Sequence, residues 1–154
     1  MQHENSSVVA MVTLLLCAGC SGSIAGGSDG SAARSSQGPA RFEGDWLGEW
    51  RTDSGQHGSL RATFLVQGID VQGSIDFDGT DCFDYSDFFG YADGETLRGE
   101  VSWLDYLGPY NEADLDGVLT ADGNRIAGTL SVTGGDCAGA TASFTLRFAG
   151  PPDG

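Results

Sequence analysis

The chain of 154 residues contains no lysine, and its seven basic residues are all Arg, set against 22 Asp and Glu for a net charge of −15. A surface so poor in positive charge repels phosphate backbones, which excludes nucleic acid as a partner. The same charge predicts that the folded body is held off anionic lipid heads. Histidine is almost as scarce, with two residues, His3 and His57. A lone His57 in a Gly-flanked turn leaves acid–base and triad chemistry without its parts, and no carboxylate pair is marked out by spacing. The chain therefore reads as a non-enzyme that needs no cofactor. Long apolar runs are missing too. The longest, Val8 to Leu16, falls well short of the roughly 20 residues that span a bilayer as a helix. Helix formers are thin, whereas Gly reaches 25 residues and Asp is abundant. That mix is rich in turns and poor in helix.

What is present begins with the leader. The short apolar run ends in small residues, as a secretory signal does. Cys17-Ala18-Gly19-Cys20 closes it, followed by Ser21-Gly22-Ser23. The Ala-Gly-Cys ending resembles the lipobox of bacterial lipoproteins. The resemblance implies removal of residues 1–19 and a lipid on the sulfur of Cys20. Cys17 stands where that family usually carries Leu, and no Lys or Arg precedes the apolar run; ordinary secretion is the alternative. Ser21 rather than Asp after the lipidated position points to the outer membrane in that family. The expected address is the cell envelope, with the membrane reached only through the anchor.

Residues 20–40 are mostly Ser, Gly and Ala. They lack the apolar groups needed to pack and read as a flexible tether, with a mean reach on the order of 25 Å. A domain over residues 41–150 follows. Two cysteines remain in it, Cys82 and Cys137, an even pair in an oxidising compartment, and a disulfide between them is predicted. A metal site would need more Cys or His nearby. The acidic turn Asp76 to Asp81 lacks the spacing of a calcium loop and reads as a solvated turn.

Within the domain the apolar period is two. Leu60, Ala62, Phe64 and Val66 alternate with polar residues, and so do Val71, Gly73, Ile75 and Phe77. The same holds for Leu97 to Trp103, Leu115 to Leu119, Ile126 to Val132 and Ala142 to Phe148. With Trp46-Gly48-Trp50 and Phe83 to Tyr91, about eight strands result. Four segments share the pattern apolar-x-Gly-x-apolar, centred on Gly73, Gly99, Gly117 and Gly128. Gly on the apolar face of a strand calls for a reason, and tight coiling in a small barrel supplies one. The fold class is therefore all-β, an eight-stranded antiparallel up-and-down β-barrel, with a β-sandwich as the alternative. Numbered as a meander, the loops sort into a tight end and a long-loop end. Both Cys82 and Cys137 fall at the long-loop end, and Trp46 falls at the tight end. Gly44-Asp45-Trp46 and the Gly-centred strands resemble the lipocalin and avidin superfamily of calycin barrels. The resemblance implies a barrel with a ligand cavity; nothing carries biotin contacts across.

The residues expected to line a small, partly apolar ligand are Trp50, Tyr85, Asp87, Phe89, Trp103, Tyr106 and Tyr110. If the fourth strand is regular, Phe83, Tyr85, Asp87, Phe89 and Tyr91 share one face and Asp87 points into the lumen; a bulge near Ser86 would turn it outward. Trp103, Tyr106 and Tyr110 flank the longest loop and form a candidate lid. The alternative function is an interaction or inhibitor module that uses the long loops at the disulfide end, with a basic envelope protein as partner.

Overall fold

A computed structural model describes residues 38–104 and 110–152. The signal, Cys20, most of the tether and Tyr106 lie outside the described residues. After a 3-10 turn, Pro39–Phe42, come eight strands: β1 (Gly44–Thr52), β2 (His57–Gln67), β3 (Asp70–Phe77), β4 (Tyr85–Asp93), β5 (Thr96–Leu104), β6 (Tyr110–Leu119), β7 (Arg125–Gly134) and β8 (Thr141–Gly150). Each pairs antiparallel with its sequence neighbour, and β8 returns to β1, so the sheet closes as an up-and-down barrel. Closure leaves no unpaired strand edge. The barrel, not the sandwich, is the fold.

The alternation sets what faces inward. Leu60, Ala62 and Phe64 of β2, Val71 and Ile75 of β3, Leu115 and Leu119 of β6 and Phe144 and Leu146 of β8 are all buried. The charged partners of that alternation face out. No helix among the described residues is long and apolar enough to cross a membrane.

The Gly-centred pattern has a geometric cause. In the pairing of β4 with β5, Gly90 lies opposite Gly99, and in that of β6 with β7, Gly117 lies opposite Gly128. A Cβ built on Gly99 would come 2.6 Å from Gly90 Cα, and one on Gly128 would come 2.7 Å from Gly117 Cα. The two backbones touch at each of these pairs. The space left above each glycine pair is filled by one ring. The same built Cβ atoms would lie 2.7 Å from Phe88 Cζ and 2.8 Å from Phe144 Cζ. The missing side chains thus admit close strands and an aromatic lid over them; they do not leave a void.

The tight end is closed by side chains. Trp46 is fully buried, donates from Nε1 to the Phe42 carbonyl at 2.8 Å, and meets Phe148 edge-on at 5.4 Å. Arg41 grips the β6–β7 turn, with Nη2 2.9 Å from both the Thr120 and the Ala121 carbonyls, and pairs with Glu95 at 3.5 Å. Short hairpins help; Gly94, at φ +59°, makes the β4–β5 turn in a conformation that most side chains resist. Pro39 and Ala40, at the end of the tether as read from sequence, open the 3-10 turn that carries the buried Phe42.

The opposite end is pinned covalently. Cys82 and Cys137 are disulfide-bonded, with Cα atoms 5.9 Å apart. The bridge joins the β3–β4 loop to the β7–β8 loop. Asn111 Nδ2 donates to the Cys82 carbonyl at 2.8 Å from beneath. Phe83 tucks inward against Phe77, ring centres 5.3 Å apart, and roofs the mouth.

Candidate functional site

The aromatic residues picked out by sequence do not form one site. Trp50 faces inward. It is 5% exposed, and its Nε1 donates to the Asp78 carbonyl at 3.0 Å. Trp103 is half-buried against the core. Tyr110 is exposed at the rim, where its hydroxyl donates to Glu112; that bond, ahead of its burial and the carboxylate charge, pushes its pKa up to about 12. Tyr106 lies outside the described residues.

β4 departs from the lumen-facing expectation. Tyr85, Asp87, Phe89 and Tyr91 all point outward, and Ser86, Phe88 and Ala92 point in. No bulge is responsible, because β4 pairs with β3 and β5 without a register shift. The phase is set by the neighbours. Val71, Gly73 and Ile75 of β3 face the interior and lie opposite Gly90, Phe88 and Ser86. Directly paired residues share a face. Phe88 goes inside because Gly73, directly opposite it on β3, leaves room for its ring, and Ser86 and Ala92 follow on the same face. The larger aromatics are left on the surface, with Tyr85 at 65% exposure, Phe89 at 57% and Tyr91 at 46%. Phe83, on the loop before the strand, is the one member of the sequence-defined set that is buried.

The interior is filled in layers. Trp46 and Phe148 sit at the tight end, Phe64 and Phe88 pack edge-on at 5.2 Å, and Phe77 and Phe83 close the mouth. Among the described residues the pocket at the mouth holds about 60 Å³, lined by Trp50, Phe77, Phe83, Leu130 and Val132 among others. That volume admits a few waters, whereas small-molecule sites run to about 300–1,000 Å³. No group of three or more metal-ligating side chains occurs among the described residues.

The outer wall is where chemistry is exposed, and it is divided. Outward positions of β3 to β6 carry Asp70, Asp76, Asp87, Asp93, Glu100, Asp114 and Asp116 around the β4 aromatics. The single Arg there, Arg98, is tied to Asp116 at 2.9 Å. Across-strand pairing puts Asp76 beside Tyr85 and Glu100 beside Phe89. The other wall, β7-β8-β1-β2, carries hydroxyls together with Arg51, Arg61, Arg125 and Arg147, all exposed. Sequence reading missed this division. The residues are far apart in the chain, and only the register of a closed sheet places them together.

These features define a small eight-stranded up-and-down barrel, an architecture consistent with a calycin-like fold, whose described residues pack the interior and polarise the exterior. Neither a protein-family model nor a curated protein sequence matches the chain.

Proposed function

We propose that this chain is a lipid-anchored cell-envelope module that docks a basic protein on its β3–β6 wall. The observation that carries the reading is the outward aromatic row of β4, Tyr85, Phe89 and Tyr91, set among carboxylates. Large exposed aromatics on one strand are the anchors that protein interfaces use. The surrounding acid supplies steering toward a cationic partner and repels acidic ones. Closure of the barrel gives the wall a rigid backing, so little order has to be imposed on binding. The disulfide-pinned rim is continuous with this wall through Tyr85, which follows the Cys82 loop. The anchor itself rests on the leader and Cys20. Among the described residues, an interior ligand, the reading implied by the calycin resemblance, would have the mouth pocket of about 60 Å³ to occupy.

A basic lysozyme-type enzyme is the probe for calorimetric titration. Tyr85→Ala with Phe89→Ala leaves the net charge unchanged and should weaken binding at least tenfold. Equal binding by the variant means that the contact is bulk electrostatics and overturns the docking site. Native mass spectrometry of the gently purified mature protein gives an independent check. A retained small molecule would favour the interior site, and the mass at Cys20 reports the lipid.

A further inference from the structure

The second wall carries an anomaly of its own. Arg125 of β7 lies directly opposite Arg147 of β8. Arg147 lies opposite Leu47 of β1, and Leu47 lies opposite Arg61 of β2. The three guanidiniums and the leucine therefore form one row across four adjacent strands. Like charges directly opposed on a sheet destabilise it. The chain holds 22 carboxylates, yet among the described residues none forms an ion pair with these three; the pairs are those of Arg41 and Arg98. On the wall itself the nearby acid is Asp45, engaged by the Thr63 hydroxyl at 2.7 Å, and Glu49, and Asp78 lines the smallest depression beside Arg61. Asp76 faces Arg61 from β3.

The shape of the wall fits the charge. Shallow depressions of about 530, 420 and 170 Å³ meet at Leu47, and Arg61, Arg125 and Arg147 flank them. Leu47 is 47% exposed at their junction. Adjacent strands lie about 4.8 Å apart, so Arg125 and Arg147 can close on one anion while Arg61, two strands from Arg147, reaches a second. Guanidinium forks match phosphate oxygens two at a time.

We propose that the Arg125–Arg147–Leu47–Arg61 row is a binding site for a phosphate-bearing ligand with two anionic groups. It stands independently of the partner on the other wall. The chain's overall charge does not forbid it. The carboxylates of β4 and β5 lie two or more strands from Arg125 and Arg147, at about 4.8 Å per strand, beyond the roughly 8 Å over which charge is felt at physiological ionic strength; Asp76 lies opposite Arg61.

The test uses the full chain against two sources of the same chemistry: free inositol hexakisphosphate, and vesicles of cardiolipin, whose headgroup carries two phosphates, in phosphatidylcholine. Binding to either should weaken at least tenfold in Arg125→Gln with Arg147→Gln, strengthen as salt is lowered, and persist in Arg98→Gln. Binding to the free polyphosphate identifies a soluble ligand. Binding confined to the anionic vesicles, reduced further by Leu47→Ala, identifies a lipid headgroup. The comparison of variants on vesicles cancels any contribution from the N-terminal segment. The melting temperature of the double variant should stay level or rise, since a repulsion is removed. Failure of both probes, or binding that survives the double variant, overturns the site. So does a wild-type oligomer that the double variant dissolves, because the row would then face the acidic wall of another copy.

Discussion

The two walls of this barrel share one interior and differ in almost everything else. β3 to β6 present aromatics and carboxylates; β7, β8, β1 and β2 present hydroxyls, the carboxylates Asp45 and Glu49, and four arginines that form no ion pair among the described residues. Inward residues are held to a narrow choice by packing, because each must fill space against several neighbours. Outward residues are free of that constraint. The segregation of charge on them is therefore information about partners rather than about folding. It also shows why net charge alone misleads. A chain at −15 carries a locally basic wall, and screening lets each wall act on its own.

The largest expected effect strikes both walls at once. Gly48→Val on β1 would drive a Cβ to 1.8 Å from the Thr145 carbonyl oxygen. Closure between β1 and β8 should fail, and circular dichroism should show no cooperative melt; a folded variant would mean that the close approach is not needed. The sharpest comparison comes next, from two adjacent phenylalanines. Phe88 is fully buried and Phe89 is 57% exposed. Phe88→Ala should cost about 3–5 kcal/mol in chemical denaturation, whereas Phe89→Ala should stay within about 0.5 kcal/mol and lose partner binding instead. Similar costs for the two would break the assignment of faces on β4.

A third effect separates the covalent end from the plugged end. The disulfide closes a sequence separation of 55 residues. Cys82→Ser with Cys137→Ser should lower stability by about 2–4 kcal/mol, while the barrel stays closed by Trp46 and Arg41 at the far end. Loss of the native near-ultraviolet dichroism would show that the plug cannot hold closure alone. The smallest effect is at the β6–β7 turn. Asp122 Oδ1 accepts from the Thr120 hydroxyl at 2.6 Å and from the Asn124 amide at 3.1 Å, and these bonds hold its pKa below the usual carboxylate value. A folded-state pKa below the unfolded one stabilises above the unfolded pKa of about 4, and the contribution is lost as pH falls through the lower folded value. Asp122→Asn should therefore flatten the acid limb of the stability–pH curve below about pH 4. An unchanged acid limb would mean that the turn does not sense its carboxylate.

Much of the fold was legible because strand structure is written locally. Leu60 to Val66 and Val71 to Phe77 alternate cleanly, and the even Cys pair fell at one end of a simple meander. β4 was not legible, and the reason is specific. Both of its faces are apolar enough to be buried, and the outward set of Tyr85, Phe89 and Tyr91 is the bulkier. Local hydrophobicity favoured the wrong face. Gly73, lying opposite Phe88, decided the matter from a neighbouring strand. The site was less legible still. Tyr85, Asp87 and Phe89 do stand together, but outside rather than inside, and Trp50 stands apart from them in the core. Arg61, Arg125 and Arg147 carried no sequence signal, since their spacing in the chain is irregular.

By itself, then, the sequence determined that the chain forms antiparallel strands, which loops are tight, and which cysteines meet, because period, turn chemistry and parity act over a few residues. Only the tertiary structure decided which face of β4 is buried, that the glycine gaps are filled by rings from the same or an adjacent strand, and that the charges divide into two walls. Those outcomes depend on register around a closed sheet, where each residue's neighbours come from other strands and volume must be shared among them.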